Sequence, residues 1–194
     1  MTATASLPRR PHVLSDLVAG SAVRDVLLVT AGAALVGVLA QVSFHLPGTP
    51  VPVTGQTFGV LLAGAALGWR RGLAAMTLYV VAGVAGVPWF AGGAAGIVGA
   101  SFGYLAAYPV AAALVGVLAA RGGDRAPARA AATMLAGTAV IYAFGVTWLA
   151  AWAHLSAGAA LAEGMVPFLV GDLLKLALAA AVLPAGWRLV GRSG

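Results

Sequence analysis

The sequence predicts an all-α integral membrane protein: six transmembrane helices in a compact bundle, both chain termini on the cytoplasmic side. Three observations predict it. Apolar residues make up 61% of the 194 and charged residues 8%, against roughly 45–50% and about 25% in ordinary globular domains, so lipid rather than water must solvate much of the surface. The apolar residues fall into six runs. The basic residues gather in short clusters between alternate runs, which is the pattern of cytoplasmic loops.

Residues 1–22, with Arg9 and Arg10 but no compact apolar run and cleavage site behind them, read as a cytoplasmic N-terminal segment, and residues 23–194 as the transmembrane domain. The first helix runs from about Val23 to Leu46 and stops at Pro47-Gly48-Thr49-Pro50. The second spans about Thr54 to Gly68, before Trp69-Arg70-Arg71, and the third about Gly72 to Val87, before Pro88. The glycine-rich stretch Ala91–Gly96 leads to a fourth helix from about Ser101 to Ala120. A polar loop, Arg121 to Pro127, precedes a fifth helix at about Ala128 to His154, and a sixth runs from about Val166 to Val190. Helices two and three are shorter than the roughly 20 residues that cross a hydrocarbon core. Irregular backbone at membrane depth is tolerated where it is buried in protein or lines a cavity, so the Pro/Gly joints beside these helices fit a cavity, and fit equally well longer helices whose flanking segments complete the span.

Six crossings place Arg9, Arg10, Arg24, Arg70, Arg71, Arg121, Arg125, Arg129, Arg188 and Arg192 on one side. The opposite loops, about 47–53, 88–100 and 155–165, hold no lysine or arginine. A multi-pass protein of the cell membrane, in contact with lipid, is the expectation. The formal charge of +6 is explained by these loops and does not call for nucleic acid. The absence of cysteine excludes disulfides and thiolate metal sites. His45 and His154 fall near outer helix ends with no second ligand at helical spacing, so no metal site is expected. Glu163 is placed in the solvated outer loop.

One basic residue lies deep inside a run, away from its ends. Lys175 follows Asp172 by three residues in Gly171-Asp172-Leu173-Leu174-Lys175, a spacing that puts both side chains on one helix face. A charge in lipid costs about 2.5–3.5 kcal/mol on insertion scales, so the pair must face protein or a water-filled interior. A neutralising ion pair at a helix contact satisfies that requirement, and so does a ligand pocket; the pocket is the favoured reading. Thr54, Gln56 and Thr57, in the proline-stiffened run Val51 to Thr57, form a second candidate cluster, in which Thr54 also fits the role of helix cap. Trp89, with Phe90, Gly92 and Gly93, forms a third, suited either to an interfacial aromatic belt or to a pocket wall. Tyr79, Tyr104, Tyr142 and Trp148 fit packing and ligand contact equally. Ala33 and Gly37 give helix one a small-residue face that permits close helix approach.

No catalytic pairing is present: Asp172 is the one acid deep inside a run, its neighbour is a lysine, and there is neither a Gly-x-Ser-x-Gly elbow nor a P-loop. The chain reads as a binding protein and not an enzyme.

Four segments taken together, Pro50 to Phe58, Gly86 to Gly93, Gly103-Tyr104-Leu105 and Gly171 to Lys175, resemble the BioY family, the biotin-binding S components of energy-coupling factor (ECF) transporters. The resemblance covers residues 24 to 190 in the family's order. It implies a six-helix bundle with a biotin pocket near its extracellular end and no cofactor. It also implies a transmembrane coupling subunit and paired ATPases as partners. Carried over, Asp172 and Lys175 contact biotin, and Thr54, Gln56, Trp89, Gly92, Gly93 and Tyr104 join them. Lys175 suits the valerate carboxylate and Asp172 a ureido N–H, with the assignment to the two ends of the ligand left open. Ala33 and Gly37 resemble the face that such proteins turn to the coupling subunit. Another vitamin of the same transporter class, thiamine or riboflavin, is the alternative substrate.

Overall fold

A computed structural model describes residues 13–17 and 22–191; most of the proposed N-terminal segment, with Arg9 and Arg10, and also Arg192, lie outside the described residues. The fold is mostly helical. It contains α1 (Ala22–Gln41), α2 (Gln56–Val84), α3 (Phe102–Leu118), α4 (Pro127–Trp152), α5 (Ala157–Gly164) and α6 (Leu169–Gly191). Among the described residues four helical segments are long and apolar enough to cross a membrane: Ala22–Gln41, Gly99–Gly123, Pro127–Trp152 and Ala157–Leu189.

The helix α2 is absent from that set because Arg70 and Arg71 fall in its middle and lower its hydropathy; it is also broken. Gly68 has φ 80° and ψ 174°, a conformation open to glycine and strained for any residue with a Cβ. The break reverses the chain. Gln56 Nε2 donates to the Tyr79 hydroxyl at 2.7 Å, although 23 residues of straight helix would hold them about 35 Å apart. The two arms, 56–67 and 69–84, therefore lie side by side. Each is short, as expected for helices two and three, and Arg70 and Arg71 stand in the first turn of the second arm, next to the break.

Packing follows from this hairpin. The α2 arms lie against α3, α3 lies against α4, α1 covers α2, and α6 rests on α4. One end of the bundle collects the described arginines. There Arg71 reaches Asp25 of α1 at 3.0 Å and the Ser15 hydroxyl at 2.9 Å. Val13 is buried beside Gly68. The chain leaves α3 through a π-helical turn, Ala119–Gly123, where a polar loop was expected. Asp124, just beyond it, is buried and accepts from Trp187 Nε1 of α6 at 2.7 Å.

The other end is built from three connections, and two differ from expectation. The first helix stops at Gln41, not Leu46, because the chain turns into a small antiparallel hairpin. Strand β1 (Ser43–Phe44) pairs with β2 (Val53–Thr54), Ser43 opposite Thr54, with the Pro47–Pro50 run in the loop. Prolines in that run cannot continue a helix. The connection 155–165 is not an open loop: Ser156 accepts from the Ala159 N–H at 3.3 Å and caps α5, which carries Glu163 half-buried. A 3-10 turn, Val166–Phe168, then delays α6 to Leu169. Asp172 consequently sits in the first turn of α6, about 4.5 Å along it instead of the 9 Å that a start at Val166 would give. The positive end of the helix favours a carboxylate there.

Candidate functional site

At the end opposite the arginines the three connections and the adjoining helix ends enclose a cavity of about 250 Å³. Its wall is largely apolar and aromatic, with Val51, Phe90, Ile141 and Phe168 among the lining residues. That composition, with a few convergent polar groups, is typical of small-molecule sites. Beyond it a void of about 10 Å³, too small for an organic ligand, shares Thr57, Thr138, Asp172 and Lys175.

The charged centre comes from α6. The Lys175 ammonium donates to Asp172 Oδ1 at 3.1 Å and to the Thr57 hydroxyl at 2.8 Å. Tyr142 of α4 donates its hydroxyl to Asp172 Oδ2. The side chains of Lys175 and Asp172 are 20% and 15% exposed, so both still open onto the cavity. An ammonium has three N–H donors, and Lys175 leaves one uncommitted among the described residues. Each carboxylate oxygen of Asp172 retains a free lone pair. A donor and an acceptor thus stand side by side in a hollow without net charge.

A second network holds the α2 side of the wall. The buried Gln56 accepts from Thr54 Oγ1 at 3.1 Å and from the Tyr108 hydroxyl at 3.2 Å, and donates to Tyr79. Tyr79 in turn donates to the Trp89 carbonyl at 3.2 Å. Thr54 also accepts the Gln56 backbone N–H at 3.2 Å while lining the cavity; the N-cap position itself falls to Gly55, which has no side chain to cap with. Tyr104 crosses from α3 to donate to the Gly164 carbonyl at 2.7 Å. Its ring lies against Gly145, where an added methyl group would come within 2.2 Å of it. A glycine is required there for α3 and α4 to approach across that ring.

Of the candidates read from sequence, Asp172, Lys175, Gln56, Thr54 and Tyr104 line the cavity. Trp89, Gly92 and Gly93 do not. Trp89 turns away, packs on Gly37 and Tyr79, and donates Nε1 to the Tyr79 carbonyl at 3.0 Å. Its neighbour Phe90 takes the inward place, 1% exposed and edge-on to Tyr79 with ring centroids 5.3 Å apart. Gly92 and Gly93 have φ of 67° and 76° and shape the turn behind Ala91. Ala33 and Gly37 are buried inside this chain, so neither offers the outward face expected of a partner contact; α2 and Trp89 occupy it.

The sequence reading gave no role to Tyr108 and no ligand role to His45, both of which line the cavity together with Thr57 and Phe90. Tyr108 was findable, since it follows Tyr104 by one helical turn and shares its face. His45 was placed at the end of a helix; once α1 stops at Gln41 it lies instead in the hairpin loop, exposed at the cavity mouth.

The family model described as BioY family matches residues 9–192, nearly the whole chain. The chain belongs to the BioY family. Among its relatives in that family, the probable biotin transporter BioY of Pyrococcus horikoshii is 38% identical over 162 residues, covering 82% of this chain and 93% of the relative. The biotin transporter BioY of Thermotoga maritima is 39% identical over 160 residues, covering 80% and 92%. The crystal structure of the S-component for biotin from an ECF-type ABC transporter superposes with a TM-score of 0.76 at 21% identity. It covers 86% of this chain and 94% of that one. At that identity the superposition establishes a shared fold.

Proposed function

We propose that this BioY-family chain captures biotin at the outer face of the cell membrane and serves as the substrate-binding component of a vitamin uptake system. The single observation that carries the reading is the donor–acceptor pair at the inner end of an aromatic-walled cavity. Lys175 offers an N–H beside the open lone pairs of Asp172. A cyclic urea presents the complement, a carbonyl flanked by N–H groups, and its fused apolar ring suits the Phe90, Ile141 and Phe168 wall. The names carried by relatives at 38% and 39% identity support the same ligand.

In this proposal both Asp172 and Lys175 meet the ureido end. Thr54, Gln56 and Tyr104 shape the wall, while Trp89, Gly92 and Gly93 act by setting the loop that carries Phe90. The chain crosses the bilayer six times, the two arms of α2 being the second and third crossings. Both termini and the Arg70-Arg71 turn are then cytoplasmic, which puts the cavity outside. A transmembrane coupling subunit and paired ATPases would supply the energy, and it would dock on a face other than Ala33 and Gly37.

Uptake of radiolabelled biotin by cells lacking their own biotin transport, expressing this chain alone and with candidate ATPases, tests the function. Accumulation above the empty-vector control is expected. No accumulation in either arm, with the chain present in the membrane, contradicts it.

A further inference from the structure

Because Lys175 is neutralised by Asp172, the floor of the cavity has no charge to spare for a ligand that carries an acid group. A carboxylate moved out of water without a counter-ion or a hydrogen-bonded cage is costly, so the acid end belongs where water or a cation can reach it. Among the residues that line the cavity, the one cation-forming side chain besides Lys175 is His45. It stands on the loop between β1 and β2, exposed at the mouth.

We infer that His45 is the counter-ion for the carboxylate of the bound ligand, which enters with its ureido ring toward Asp172 and Lys175 and leaves its acid tail at the mouth. The inference rests on the biotin reading given above. An imidazolium attracts a carboxylate and a neutral imidazole does not; histidine side chains in general change charge between about pH 5 and 8, so a counter-ion of this kind makes capture stronger at the acid end of that range. The other titratable groups facing the cavity are Asp172 and Lys175 on α6, Tyr104 and Tyr108 on α3, and Tyr142 on α4. The hairpin contributes His45 alone, and α2 and the 85–101 connection contribute none to that wall. His154 and Glu163, at the same end of the molecule, do not line it.

The test is equilibrium binding to the purified full-length chain at pH 5.5 and pH 8, with biotin and with biotin methyl ester, for wild type, His45→Gln and His45→Arg. Wild type is expected to bind biotin about three- to fivefold more tightly at pH 5.5, the size of an exposed ion pair, and the ester equally at both. His45→Gln should bind biotin at the weaker level throughout and bind the ester normally, which also shows that it is folded. His45→Arg should bind biotin tightly at both pH values. The same biotin slope in His45→Gln as in wild type, or a matching slope for the ester, overturns the role of His45. Biotin binding with no slope in wild type does so too. Failure of wild type to bind biotin at either pH overturns the substrate reading itself.

Discussion

Replacing Lys175 by methionine probes the charged centre most sharply, because the structure fixes what is lost. The variant keeps most of the side-chain volume and removes the ammonium with its bonds to Asp172 and Thr57. A bound urea would lose one hydrogen bond from a charged donor, worth about 1.5–3 kcal/mol. At 1.4 kcal/mol per decade this weakens binding by about ten- to a hundredfold. The unliganded protein also suffers, since Asp172 is left with Tyr142 but no cation, and breaking a partly buried ion pair is destabilising. The double variant Asp172→Asn/Lys175→Met separates the two effects. It removes the unpaired charge, so its thermal stability should recover toward wild type while its affinity does not. Titration calorimetry with biotin, alongside thermal unfolding in detergent, reads both quantities. Wild-type affinity in a folded Lys175→Met variant would refute the reasoning and leave the pair a structural contact.

Three other outcomes are expected. Gln56→Leu strips partners from Tyr79, Tyr108 and Thr54, and each buried polar group left unpaired costs about 1–3 kcal/mol; a clearly lowered unfolding midpoint is the expected readout, and an unchanged one would contradict the network. Gly145→Ala drives a methyl group into the Tyr104 ring, which should cost about 1–3 kcal/mol by overpacking and weaken biotin binding, measured by unfolding and titration on the same sample. Burial pushes the Asp124 carboxyl above its ordinary value, opposed by the hydrogen bond from Trp187 and the nearby Arg125. A folded-state value raised above the unfolded one means that this contribution to stability is present below about pH 4 and is lost as pH rises through the raised value. Asp124→Asn, which keeps an acceptor for Trp187, should therefore gain stability relative to wild type as pH rises from about 4; a difference that stays constant as pH rises would contradict it.

Much of this architecture was legible because charge and hydropathy speak directly about lipid. The unequal sharing of arginine among the connections, the shortness of the second and third apolar runs and the lone Asp172–Lys175 pair all pointed to a membrane bundle with a hollow. The Gly68 break falls where the sequence ended its second helix. The connections at the far end were less readable for physical reasons. Ala157–Gly164 is eight residues long and apolar in part, so no periodicity distinguishes a short helix there from a loop. Trp89 and Phe90 are adjacent in an irregular segment, and neither period 3.6 nor period 2 says which ring turns inward. Small residues at Ala33 and Gly37 announce a close approach but not by what; α2 and the Trp89 ring satisfy it from within the chain. His45 changed meaning once α1 ended four residues before it, a boundary set by the pairing of β1 with β2.

The cavity at Asp172 and Lys175 is the biotin site in this proposal, and its occupancy is the point to measure. Equilibrium binding of biotin to the purified chain without partner subunits, with thiamine and riboflavin as competitors, measures this directly. The account predicts saturable binding of one biotin per chain, undisturbed by an excess of either competitor. Absence of biotin binding to the folded protein, or displacement by riboflavin or thiamine, would contradict it.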